Sequence, residues 1–110
     1  MKPEILIIAK YQRTLDFILK DIADTLHNLG TESKLDRENE TLETDKFVII
    51  VKTPYSTCIG RSWSRLRFYV EYGYSDTWVE NDEIDNFTCR FPSHTKKIET
   101  IDEIIQIVRC

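Results

Sequence analysis

The sequence has no apolar run longer than five residues; 5–9 and 47–51 are the longest. A bilayer-spanning helix needs about 20, so no membrane partner is expected. The N-terminal stretch is too short in apolar residues for a secretory leader and already carries Glu4. Cysteine is scarce and odd in number: Cys58, Cys89 and Cys110 stand far apart. An exported domain would pair its cysteines, so reduced thiols and a cytoplasmic location are the expectation. Closely spaced metal ligands are missing too. Cys89 and His94 have no second pair to complete a structural zinc set, and no metal or other cofactor is expected. Cys58 as a nucleophile would need His94 as its base, with Arg61 lowering the thiol pKa, and nothing in the sequence orients that histidine. No catalytic residue is assigned.

The most informative absences concern charge. Residues 46–70 hold Lys46, Lys52, Arg61, Arg65 and Arg67 and no acid. Residues 71–85 hold Glu71, Asp76, Glu80, Asp82, Glu83 and Asp85 and no base. Trp63, Phe68, Tyr69, Tyr72, Tyr74 and Trp78 cluster about that boundary. Charged and aromatic groups concentrated together are how a small domain builds a contact surface. The chain of 110 residues has a net charge of −4, and outside 46–70 it counts ten bases to nineteen acids. A mostly acidic surface with one basic segment suits a protein partner better than bulk nucleic acid.

Hydrophobic periodicity gives the elements. Residues 4–10 read as a buried strand. Over 11–29, Leu15, Ile18, Leu19, Ile22, Leu26 and Leu29 form one helical stripe, with Gly30 placed for a left-handed cap. Residues 33–36 and 41–43 read as short edge strands around a turn at 37–40, and 47–52 as a second interior strand. A loop, or a loop leading into a short helix, follows over 54–64. Residues 65–74 alternate Leu66, Phe68, Val70 and Tyr72 as a strand does, whereas Trp63, Leu66 and Val70 could line a helix; the β-branched and aromatic content favours the strand. Residues 73–76 read as a turn, 77–80 and 87–91 as short strands, 81–86 and 92–97 as loops. Thr100 and Glu103 have capping-box spacing ahead of a closing helix striped by Ile101, Ile104, Ile105 and Val108. The expected fold is one α/β (or α+β) domain over 1–110. Its mixed sheet of four or five strands carries a long N-terminal and a short C-terminal helix.

Within the basic segment, Arg61, Trp63, Arg65 and Arg67 occupy alternate positions and would share one face of an extended chain. Together with Tyr69 they form a candidate binding surface for a protein or, alternatively, for single-stranded nucleic acid. The bland alternative puts Trp63 in the core and pairs the arginines with the 71–85 acids. Asp82, Glu83 and Asp85 are the acidic candidates, and with residues 38–45 they would suit a basic channel on a partner. A degenerate nucleotide site at 60–62 and Glu71 is a further alternative. There Tyr55 stands where a phosphate loop needs its first glycine.

Gly60-Arg61, then Leu66, Phe68, Val70 and Glu71, with the 5–9 strand, Lys10 and the helix after it, resemble small phage-encoded, helicase-like α/β proteins. The chain departs from that pattern in having Tyr72 after Glu71, Ser64 in place of an acid, and no phosphate loop. The resemblance implies a phage or mobile-element origin and a sheet with flanking helices, not ATP hydrolysis. The combined expectation is a non-enzymatic protein, monomer or homodimer, that binds a host protein or complex as an inhibitor of anti-CRISPR or DNA-mimic type.

Overall fold

Unbroken Ile and Leu side chains on both faces of a strand require cover on both faces, and residues 5–8 have that composition. In the computed structural model, which describes residues 2–53, 63–72 and 91–109, this strand, β1 (Glu4–Ala9), lies inside the sheet. Its partners are β4 (Val48–Lys52) on one side and β5 (Leu66–Tyr72) on the other, both parallel to it. Beyond β4 come β3 (Thr41–Glu43) and then β2 (Lys34–Asp36) at one edge, each antiparallel to its neighbour. At the other edge β6 (Lys96–Lys97) pairs parallel to β5. The order is β2-β3-β4-β1-β5-β6.

Helix α1 (Gln12–Asn28) follows β1, and α2 (Ile101–Arg109) closes the described chain. The predicted stripe of α1 is buried at Leu15, Ile18, Leu19, Ile22 and Leu26. It joins Ile5, Ile7, Ala9, Ile49, Val51, Val70, Ile104 and Val108 in one core on one face of the sheet. Leu6, Ile8, Ile50, Trp63 and Leu66 form a second core on the opposite face. Each of the Val, Leu and Ile side chains contributes roughly 1.5–3 kcal/mol when fully buried. Gly30 ends α1 at φ +78°, as expected. Its N–H bonds the His27 carbonyl at 3.0 Å, and the Thr31 N–H bonds the Leu26 carbonyl at 2.8 Å, a Schellman closure.

The mixed α/β architecture agrees with the sequence, with one strand more than its upper count. Residues 92–97, expected as a loop, contain β6, because two consecutive lysines give no apolar alternation to read. The Ile98 N–H to Tyr69 carbonyl bond (2.8 Å) and the Thr95 hydroxyl to Leu66 carbonyl bond (3.1 Å) hold this segment against β5. At α2 the Glu103 N–H donates to the Thr100 hydroxyl at 3.4 Å, and the Glu103 carboxylate accepts from the Glu99 N–H at 2.9 Å. The reciprocal arm of the capping box therefore reaches one residue further back than the spacing suggests. The expected turn at 73–76, the strand at 77–80 and the acidic loop at 81–86 lie outside the described residues, as does 87–91 except Phe91.

Candidate functional site at the two edges of the sheet

A run of alternating residues shares a face only while the chain stays extended and in regular register. Residues 63–69 do neither. The Leu66 N–H bonds the Trp63 carbonyl at 3.0 Å, so a turn precedes β5. Leu66 then pairs with Glu4 but Phe68 pairs with Ile5, which makes Arg67 the extra residue of a β-bulge. The bulge inverts the parity of the strand. Leu66 joins the second core, while Phe68 packs against the first and is half-buried.

The predicted shared face of Trp63, Arg65 and Arg67 is therefore not present. Trp63 is 6% exposed. Phe91 meets it edge-on, with ring centroids 5.2 Å apart, and meets Tyr69 at the same separation. The indole is a core group, as the bland alternative had it, and offers no stacking face. Arg65 and Arg67 are exposed, and neither makes an ion pair among the described residues. The described acid of the 71–85 block, Glu71, binds Lys97 of β6 at 3.1 Å rather than either arginine. The Glu71 carboxylate, accepting a hydrogen bond, holds the Lys97 ammonium above the ordinary lysine range. Arg65, Arg67, Lys96 and Lys97 make this edge basic. Arg61, Asp82, Glu83 and Asp85, with Cys58, Cys89 and Cys110, lie outside the described residues.

The opposite edge holds features that sequence reasoning passed over. The β2–β3 hairpin is closed by Asp36, whose carboxylate accepts from the Asn39 backbone N–H at 3.1 Å and side-chain amide at 2.8 Å. These bonds hold the Asp36 carboxyl below the usual aspartate range. They bring the chain to Glu40 at φ +56°, a left-handed conformation that costs a side-chain-bearing residue roughly 1–2 kcal/mol. Glu40 is one wall of a groove of about 400 Å³, with Leu35 and Arg37 of the hairpin and Asp16, Phe17, Leu19 and Lys20 of α1. Phe17 is 72% exposed, the most exposed large apolar side chain among the described residues.

A second cavity of about 520 Å³ shares Leu35 with the groove and is lined by Ala23, Asp24, His27, Gly30 and Glu32. Asp16, Lys20, Ala23, Asp24 and His27 follow one another at helical spacing, so one flank of α1 walls both spaces. The signal for Phe17 was in the sequence: it falls off the Leu15-Ile18-Leu19-Ile22 stripe, among polar neighbours. The acid-rich side is further marked by Lys2, whose ammonium binds the Glu43 carboxylate at 2.9 Å and holds it below the usual glutamate range.

Among the described residues no three His, Cys, Asp or Glu side chains gather as metal ligands, and no helix is long and apolar enough to cross a membrane. Comparisons with protein-family models, with curated proteins and with solved structures found no match. The chemistry this surface supports is recognition: an apolar anchor point, a groove and a rim of charges.

Proposed function

We propose that the protein is a non-enzymatic interaction protein that docks a partner protein on α1 and the β2–β3 hairpin. The observation that carries this reading is Phe17, 72% exposed at the mouth of a groove of about 400 Å³. An exposed aromatic beside an apolar-floored groove with a charged rim has the anatomy of a binding hot spot. Glu40 adds support, since strained backbone at a groove wall is costly to keep without a use. The partner surface is basic, because Asp24, Glu32 and Glu38 are exposed on this side and pair with no cation among the described residues. Within the same reading, the sharper proposal is a phage-type inhibitor whose acids occupy a basic nucleic-acid channel on a host protein.

The test is a complex rebuilt from purified components after affinity capture has identified the partner. Phe17→Ser weakens that complex at least tenfold, and paired Asp24→Asn and Glu32→Gln slow association and flatten its salt dependence. A complex indifferent to all three changes would overturn the proposal. The second reading, nucleic-acid binding, draws support from exposed Arg65, Arg67 and Lys96 on the basic edge. It calls for single-stranded DNA affinity that falls steeply with salt and is lost on Arg65→Ala with Arg67→Ala.

A further inference from the structure

We propose that the partner segment binds as an added strand on the free edge of β2, with its side chains entering the groove beside α1. This rests on the docking role argued above and specifies how that docking is made. Strand β2 is last in the sheet order, and among the described residues nothing pairs with its outer side. An edge of this kind presents unpaired backbone N–H and C=O groups, a template for another chain. Natural sheets blunt such edges with charge, and here Lys34 and Asp36 flank a single apolar residue, Leu35. Leu35 is also the residue common to both cavities. The apolar floor therefore lies on the strand whose edge is open.

The dimensions agree. From Asp16 to His27 the flank of α1 runs about 17 Å, at a rise of ~1.5 Å per residue. A five-residue strand spans about 17 Å, at ~3.3 Å per residue. An added strand of that length would place alternate side chains along the trough. Main-chain bonds to β2 would supply affinity, and the trough would select side chains. Charge fixes the occupant's chemistry. The far cavity carries Asp24 and Glu32, neither ion-paired among the described residues, while the near one is lined by two acids, Asp16 and Glu40, and two bases, Lys20 and Arg37, and so is balanced. The occupant is an extended segment of alternating apolar and basic residues.

The experiment uses a fluorescein-labelled heptapeptide of alternating lysine and valine, read by polarisation against the full chain. Two further peptides carry backbone N-methyl groups on all valines or on all lysines. In a strand, alternate N–H groups point to one side, so one methylated peptide loses its bonds to β2 and the other keeps them. The expected result is at least tenfold weaker binding for one methylated peptide, little change for the other, and weaker binding of the parent to the Phe17→Ser protein. Equal affinity of all three peptides overturns strand addition. If that equality comes with loss in Phe17→Ser, groove docking stands without it. No binding of the unmethylated peptide overturns strand addition outright. Failure of the docking reading shows separately, as a rebuilt partner complex indifferent to Phe17→Ser.

Discussion

The two edges of this sheet are built from opposite materials. At the β6 edge the exposed charges of Arg65, Arg67, Lys96 and Lys97 are basic and Phe91 packs against Trp63 and Tyr69, while Tyr72 at the end of β5 is 43% exposed. At the β2 edge the rim is richer in acids, and an aromatic residue of the neighbouring helix stands in solvent. The basic edge thus has charge and one partly exposed ring that carries a hydroxyl, Tyr72, whereas the acidic edge sets the wholly apolar and more exposed ring of Phe17 beside a groove. Affinity at protein interfaces comes mainly from buried aromatic anchors, while charge governs approach and selectivity. The difference teaches that aromatic residues near a charge reversal in sequence need not form one surface. A turn and one bulged arginine accompany the burial of Trp63 and the turning of Phe68 toward the opposite core, while Tyr72 stays exposed.

Four changes would break or sharpen this contrast. The largest effect belongs to Trp63→Ala. If the indole anchors the basic edge from within, unfolding free energy falls by about 3–5 kcal/mol, measured by urea denaturation. A loss below about 1 kcal/mol would return Trp63 to the surface. Next, Glu40→Gly relieves a left-handed residue and raises stability by about 0.5–1 kcal/mol, after the extra chain entropy of glycine is allowed for. The same variant binds its partner more weakly if the Glu40 carboxylate belongs to the groove rim.

Glu71→Gln replaces the charged acceptor that raises the Lys97 pKa with a neutral amide oxygen. Because the folded pKa of Lys97 is raised, the pair stabilises the protein below the ordinary lysine value of 10.5 and loses that effect as pH rises through the folded value. The Lys97 side chain is 45% exposed, so the contribution is under about 1 kcal/mol. Melting temperatures at pH 8 and pH 11 should therefore converge more closely in the variant than in the parent. The smallest stability effect is expected for Phe17→Ser, within about 0.5 kcal/mol of the parent. A clear loss of stability there would make Phe17 a packing residue and remove the acidic edge's claim to an anchor.

How much was legible followed from burial. Helix α1 came through because its apolar residues repeat with the helical period, β1 and β4 because their apolar runs are unbroken, and β2 and β3 because a single leucine sits among polar and charged residues in each. Gly30 was readable as well, since few other residues fit its backbone. The edge at β6 resisted. Lys96 and Lys97 pair through their backbones, so their side chains carry no record of it. The bulge at Arg67 made the Leu66-Phe68 alternation point to two faces instead of one. The groove was invisible for another reason: it arises where α1 and the hairpin fail to fill space, and no single residue encodes that. Only Phe17, an aromatic off the buried stripe, left a trace.

The placement of β1 has a bearing on how the chain reaches this state. Ile5 lies against Ile49 on one flank and Phe68 on the other, so the central strand waits for neighbours that come much later in the chain. Closing such distant pairings carries a loop entropy that local helices avoid, which slows folding. A fragment ending after β4 would leave the β5 flank of Ile5–Ile8 uncovered and prone to self-association. Nascent chains of this protein are therefore expected to gain protease resistance late and in one step, after Tyr72 has emerged.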